Sequence, residues 1–398
     1  MGRTATFCTV FPNYRDFHFF KDPGQIPYRF AKIGYNTRLV CYSSETDTLT
    51  VTGKYLSVVK IPDRFTSRKF NAGIVRYLMS NAMGIDILNV FHYSWSSLLF
   101  AYIYKLFNRK GFVYLKLDYC AYAVKNPGGA ARIGSFPPDK GSTSLKGRIK
   151  DIIASRYFVK KVDLWSVEDD YSRQLLESNY DFLRARLITV YNGHTSDLPG
   201  SLAGCDSSQK EDIILTAGRL GSMQKATEVL LEAFKSIASL TEYNLHLAGS
   251  VEPGFNAYMN SFLRDNPSLF NRVKLHGPLG RDDLYRLYCR SRIFCMPSRF
   301  EGMAIVFPEA MYYGNVIITT NNTSLKPLVE KHRFGLVVER DNPGAIADAV
   351  LSLARNRELL KEMAVNAQET ASTLLSWDNI VELLNDKITE KSTASRIR

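Results

Sequence analysis

Apolar, β-branched runs of four to six residues alternate with amphipathic stretches along the chain. In the first half such runs predict strands at 6–10, 37–42, 56–61, 86–91, 112–117, 164–167 and 187–191. Helical periodicity falls between them, at 25–33, 68–81, 96–108, 144–160 and 171–179. The second half repeats the rhythm, with strands at 213–217, 244–248, 273–276, 293–296, 316–320 and 335–338, then helices near 343–356, 357–375 and 377–390. A strand that is apolar on both faces must be covered on both faces, so the pattern predicts parallel sheets with helices on either side. The expected fold class is α/β, built as two doubly wound Rossmann-like domains in series.

Turn formers cluster from Val190 to Gly204, and Asn192-Gly193 reads as a hinge. The expected domains are 1–192, 193–375, and a C-terminal helix with a frayed tail, 376–398, packing back toward the first domain. Residues 126–146, rich in Gly, Pro, Ser and Lys, read as a mobile loop.

At 398 residues and 45% hydrophobic composition the chain can bury two cores, which excludes a disordered polymer or a disulfide-stapled miniprotein. The net charge of +12 is unevenly spread: residues 1–200 hold 28 basic and 16 acidic side chains. An asymmetry of this kind suits an anionic partner, whether nucleic acid, acidic lipid or a phosphorylated substrate. The cations concentrate between Lys125 and Lys161, where 145–161 interleaves basic and apolar residues as an interfacial helix does. Neither a signal peptide nor a membrane span is expected, and six cysteines without a CxxC pair read as reduced core thiols of a cytosolic protein.

In open α/β sheets ligands sit beyond the carboxyl ends of the strands. After the strand at 213–217 come Gly218, Arg219 and Lys225, a backbone approach followed by a forked donor and a point charge that suits a diphosphate. After the strand at 293–296 come Glu301, the uncharged run Gly302, Met303, Ala304 and Ile305, then Glu309 inside a helix that Gly314 closes. Backbone N–H groups at that helix start form an anion site, and two acids beside it make sense as acceptors for sugar hydroxyls. No Asp-x-Asp pair is present and the histidines are scattered, so neither a metal nor another cofactor is expected.

Taken in order, Gly218-Arg219…Lys225, Gly277-Pro-Leu279, Pro297-Ser298 and Glu301-x7-Glu309 resemble the C-terminal half of GT-B nucleotide-sugar glycosyltransferases, specifically retaining glycosyltransferase family 4. The resemblance covers about residues 190–380. It implies that Gly218, Arg219 and Lys225 hold the donor diphosphate, that Glu309 binds the ribose, and that Glu301 and residues 302–305 lie against the donor sugar. Gly277 and Leu279 would be near the nucleobase. Ala304 departs from the family, which often has a second glycine there. Pro23, Gly24 and Gln25 stand where relatives place an acceptor loop. The family histidine is missing after the strand at 112–117, leaving Asp118 or His92 to serve with Glu301 in catalysis.

The implied activity is metal-independent transfer of a hexose-type sugar, UDP-sugar favoured, to a lipid-linked or growing glycan in cell-surface polysaccharide synthesis. The implied partners are a nucleotide-sugar donor, a glycan or lipid-linked acceptor and an anionic membrane surface, with the enzyme peripheral on the inner face of the cell membrane. Rival readings are a soluble acceptor, a sugar-nucleotide epimerase or phosphorylase, and a basic nucleic-acid-binding protein. The last lacks a recognisable module and leaves Glu301 and Glu309 unexplained.

Overall fold

A computed structural model describes residues 4–43, 49–63, 71–124, 153–197 and 210–397. The chain divides into two compact units. Described residues up to Ala121, those from 153 to Tyr191, and those from Trp377 onward form the N-terminal unit; residues 122–124 and Asn192–Ser376 belong to the C-terminal unit.

The N-terminal unit holds a seven-stranded parallel sheet: β1 (Thr6–Val10), β2 (Asn36–Ser43), β3 (Val58–Pro62), β4 (Ile87–Phe91), β5 (Phe112–Lys116), β6 (Leu164–Val167) and β7 (Leu187–Thr189). Their spatial order is β3-β2-β1-β4-β5-β6-β7. The C-terminal unit holds six parallel strands: β8 (Glu211–Ala217), β9 (Asn244–Ala248), β10 (Val273–Gly277), β11 (Ser291–Met296), β12 (Val316–Thr320) and β13 (Gly335–Val338), in the order β10-β9-β8-β11-β12-β13. In each sheet the order reverses once, between β1 and β4 and between β8 and β11.

Both faces of the central strands are buried, which is why these strands read as continuous apolar runs. Phe7, Ile87 and Phe112 pack with Ile26, Phe30, Trp377 and Val381 on one face. Their neighbours Cys8, Leu88 and Val113 pack with Leu98, Ala101 and Tyr104 on the other. The helix Trp377–Ile397 contributes Trp377, Ile380, Val381, Leu384 and Ile388 to the first of these cores, and Arg29 donates to both oxygens of Asp378 at 3.0 Å.

Three expectations need correction. Pro23, Gly24 and Gln25 form no loop; they are the buried first turn of the helix Asp22–Lys32. Proline is tolerated there because an N–H in the first turn has no intrahelical partner. Gln25 Nε2 donates to Phe19 O at 2.7 Å, and a Cβ on Gly24 would lie 2.3 Å from Phe19 Cα, so the glycine permits a tight backbone approach rather than ligand contact. The C-terminal tail is no frayed end: the helix runs to Ile397, with no glycine or proline to stop it and Thr389 O accepting from both Ser392 and Thr393. Cys8, Cys41, Cys120 and Cys295 are buried free thiols, whereas Cys289 is disulfide-bonded.

The basic helix expected at 144–160 is a separate case. Most of it, like the loop 126–146, lies outside the described residues, and its described end is a π-helical turn, Ala154–Phe158, followed by a 3-10 turn, Val159–Lys161. There Phe158 packs on Tyr102, with ring centroids 4.6 Å apart.

Candidate active site

The loops after β8 and β11 meet at the switch point of the C-terminal sheet. Gly218 N donates to Ala248 O at 3.0 Å, and Gly249 N donates to Gly277 O at 2.8 Å, which links the tips of β8, β9 and β10 into a row. Gly249 has φ +126°, and a Cβ there would stand 1.9 Å from Gly218 O. Only glycine fits this crossing of two backbones. Gly249 was not among the expected site residues, though it follows an apolar strand as Gly218 and Gly277 do.

Lys225 and Glu301 come together as an ion pair, with both side chains mostly buried. Glu301 Oε2 also accepts from Ser298 Oγ at 3.3 Å and from Gln224 Nε2 at 3.4 Å. Gln224 Oε1 in turn accepts from Arg219 Nη2 at 2.8 Å, so Arg219, Gln224, Lys225 and Glu301 form one continuous polar cluster. Arg299 ties this cluster to its surroundings, reaching Glu228 at 2.7 Å, Asp341 at 2.6 Å and Met223 O at 2.8 Å. Arg219 itself is exposed.

Glu309 sits in the helix Val306–Tyr312 and is only 4% exposed. Arg281, at the start of the helix Arg281–Arg290, donates to its Oε1 at 2.7 Å, and Tyr288 OH lies 3.4 Å from its Oε2. Burial raises the Glu309 carboxyl above its ordinary range, with Arg281 opposing the shift. The arrangement answers the electrostatic puzzle posed by two acids at one anion site: each acid has its own cation. Arg281 was missed because only tertiary contact links it to Glu309.

Gly277 closes β10 with φ +67°, and Leu279 follows in the turn before the helix Arg281–Arg290. Between Glu301 and Glu309, Met303 is buried and its carbonyl accepts from Asn192 Nδ2 at 2.8 Å. Ala304 N donates to Gly302 O at 3.1 Å, so one of the N–H groups expected to face an anion is already used; Gly302 and Ile305 are half-buried. Asn192 is therefore a buried anchor of its unit rather than a bare turn residue.

In the N-terminal unit the structure joins two residues that the sequence offered as alternatives. His92 Nδ1 lies 3.8 Å from Asp118 Oδ2 beyond the tips of β4 and β5. Beside them Lys116 is buried, 3.6 Å from Glu168 Oε1 and 3.9 Å from Asp22 Oδ2. Among the adjacent acids, Asp169 caps the helix Asp170–Asn179 by accepting from Ser172 N at 2.7 Å.

Two seven- and six-stranded parallel sheets that each reverse order at a polar switch point are the architecture of the GT-B glycosyltransferases. The chain superimposes on the Anabaena protein HepE in complex with UDP with a TM-score of 0.70 at 13% identity, covering 98% of this chain and all (100%) of that one. Residues 205–370 match the family Glycosyl transferases group 1. An uncharacterized glycosyltransferase of Methanocaldococcus jannaschii is 26% identical over 58% of this chain and 62% of its own length. A GDP-mannose-dependent alpha-(1-6)-phosphatidylinositol monomannoside mannosyltransferase of Mycobacterium tuberculosis is 26% identical over 41% of this chain and 44% of its own. The chain thus spans less than two thirds of the length of the curated relatives it matches.

Proposed function

We propose that this protein is a retaining glycosyltransferase that moves a hexose-type sugar from a nucleoside-diphosphate sugar, UDP-sugar favoured, to a hydroxyl of a lipid-linked or growing glycan in cell-surface polysaccharide synthesis. The observation that carries the reading is the cluster Arg219, Gln224, Lys225 and Glu301 at the β8/β11 switch point, inside the segment that matches the group 1 family.

The barrier to transfer lies in parting sugar from diphosphate while positive charge builds on the ring. In this reading Arg219 and Lys225 take up the charge of the departing diphosphate, and Gly218 lets it approach the backbone. Lys225 leaves Glu301 for the phosphate when donor binds, and Glu301 accepts hydrogen bonds from the sugar. Glu309 does the same for the ribose, and the turn at Gly277 and Leu279 borders the base. The acceptor oxygen attacks from the face the diphosphate leaves, and a departing phosphate oxygen takes its proton. These cations neutralise the leaving group without a metal.

A membrane-borne acceptor is supported by one edge of the N-terminal unit. Met79, Met83, Leu106 and Phe107 are 47%, 74%, 52% and 43% exposed. The ends of their helices are tied together where Asn108 Nδ2 donates to Ala82 O at 3.0 Å and Ile85 O at 2.9 Å. Exposed Arg109 and Lys110 follow, so apolar and basic groups share this edge as they do on peripheral membrane proteins. Among the described residues no helix is long and apolar enough to cross a membrane.

Thermal denaturation against a panel of UDP-, GDP- and ADP-sugars tests the donor assignment. One nucleotide should raise the midpoint by mass action, and Arg219→Ala should abolish the rise. A flat response to the whole panel at millimolar concentration would overturn it.

A further inference from the structure

The polar cluster of the C-terminal unit lies at the carboxyl ends of its strands; a cavity of about 420 Å³ lies at their amino ends. Lys210 immediately precedes β8, Arg292 is the second residue of β11, and Gly314 comes just before β12, and all three line this cavity. A strand of six residues such as β11 spans about 20 Å, so the cavity is separate from the proposed donor site. Its volume falls in the range of small-molecule sites, roughly 300–1,000 Å³.

Its lining has two halves: Lys210, Arg292 and Lys361 bring positive charge, and Tyr313, Leu360 and Val365 bring apolar surface. Lys210 Nζ donates to Ser291 O at 2.6 Å and to Tyr288 O at 3.1 Å, which holds the amine at the strand edge. Arg292 Nε donates to Asp212 Oδ1 at 2.9 Å and its Nη2 donates to Lys210 O at 2.7 Å, which sets the guanidinium beside the lysine. Asp212 also accepts from Arg357 Nη2 at 2.6 Å, so one carboxylate answers two guanidinium groups. Nearby, Glu211 is paired with Arg290, and Lys361 reaches Glu358 at 3.0 Å while staying 71% exposed. Burial, and then the charge of Arg292, pull the Lys210 ammonium down to about 7. Cations crowded around a cavity repel one another, and an anion bound among them relieves that repulsion and returns the proton to Lys210.

We propose that this cavity binds an organic phosphate monoester, its phosphate held by Lys210, Arg292 and Lys361 and its organic group lying on Tyr313, Leu360 and Val365. Such a phosphate carries nearly two negative charges at neutral pH, which answers the gathered cations better than a singly charged carboxylate does. A planar arginine fork flanked by lysine point charges suits its oxygens. Inorganic phosphate alone would leave the apolar surface in water, whereas the monoester covers both halves of the lining. The proposal is independent of the sugar-transfer reading, since it uses none of the residues assigned there to the donor.

Isothermal titration of the full chain with phenyl phosphate at pH 7 provides the test, with inorganic phosphate and benzoate as partial probes. Phenyl phosphate should bind, and each partial probe should bind about tenfold more weakly or worse. Lys361→Ala, at an exposed position, should weaken phenyl phosphate about two- to fivefold. Val365→Glu, also at an exposed position, sets a carboxylate on the apolar half and should weaken it further. Lys210→Met should cost about tenfold or more. Between pH 7 and 8.5 the ligand stays a dianion while free Lys210 loses its proton, so wild-type affinity should fall severalfold as pH rises, and Lys210→Met should flatten that fall. Arg219→Ala should leave the titration unchanged. Absence of binding, a partial probe that binds as tightly as phenyl phosphate, or an affinity indifferent to Lys361→Ala and Val365→Glu would overturn the proposal. Binding lost in Arg219→Ala alone would place the phosphate at the donor loops and overturn it as well.

Discussion

Arg281 Nη2 stands 2.7 Å from Glu309 Oε1 in a pair whose carboxylate is 94% shielded from water, its side chain being 6% exposed. A buried charge that loses its partner is left uncompensated, at a cost of about 3–5 kcal/mol. Arg281→Met is therefore expected to destabilise the protein by about that much at pH 8, in chemical denaturation. Burial already raises the Glu309 carboxyl, so the unpaired acid should take up a proton as pH falls and the variant should recover part of its loss by pH 5. Glu309→Gln in the same background should recover most of it at pH 8. A loss independent of pH and unrelieved by Glu309→Gln would mean that Arg281 acts by packing alone.

Lys225 and Glu301 make the second such pair, this time facing the proposed diphosphate. Lys225→Met removes a cation and simultaneously exposes the donor to an uncancelled carboxylate. Turnover per KM should fall about 10²–10³-fold, the size of effect seen when one donor to a developing anion is removed. Adding Glu301→Gln should not restore the rate if Glu301 also holds the sugar, and initial-rate kinetics on the double variant decide this.

Gly249 stands where the backbones after β8 and β9 cross. Gly249→Ala forces a methyl group against Gly218 O at a φ that L-residues avoid, so one backbone must move. The expected outcome is a loss of about 1–3 kcal/mol in unfolding free energy together with weaker nucleotide binding. Isothermal titration with UDP checks the second part; unchanged affinity would separate this row of glycines from the donor site.

The strand skeleton was legible because a parallel sheet buries both faces of its central strands. Phe7-Cys8 and Ile87-Leu88 are apolar at adjacent positions that point to opposite cores. The loops after β8 and β11 were legible as well, from Gly218, Lys225, Glu301 and Glu309. What the chain order hides is pairing: Lys225 meets Glu301 across 76 positions, and Arg281 meets Glu309 across 28. The resemblance also misled at Asp22-Pro-Gly, expected within a loop, which begins a helix with Gln25 Nε2 bonded to Phe19 O.

Met83 and Phe107 are 74% and 43% exposed beside Arg109 and Lys110, so their replacement should leave the fold intact. Each nearby cation adds about 1 kcal/mol on an anionic surface. Wild-type protein should float with vesicles of phosphatidylcholine and phosphatidylglycerol at low salt, and much less with phosphatidylcholine alone. Met83→Glu with Phe107→Glu should lower the bound fraction severalfold while the melting midpoint stays put. Equal flotation of wild type and double variant would show that this edge does not meet the bilayer.

His246 and His276 face each other on β9 and β10, Nδ1 to Nε2 at 3.2 Å, one ring donating and the other accepting. Burial is the largest cause that pushes His246 down to about 4, with His276 and Lys274 adding to it, and burial likewise lowers His276. A histidine depressed by folding binds fewer protons in the native state than in the unfolded chain. Stability from this pair is therefore complete above the ordinary pKa of 6.5 and is lost as pH falls from there toward about 4. Melting midpoints should decline across that window, and His246→Asn should flatten the decline while costing some stability at pH 7.5. Two-dimensional NMR of the imidazole resonances provides the direct check: if His246 titrates near 6.5 in the folded protein, the pair is solvated and the pH dependence comes from elsewhere.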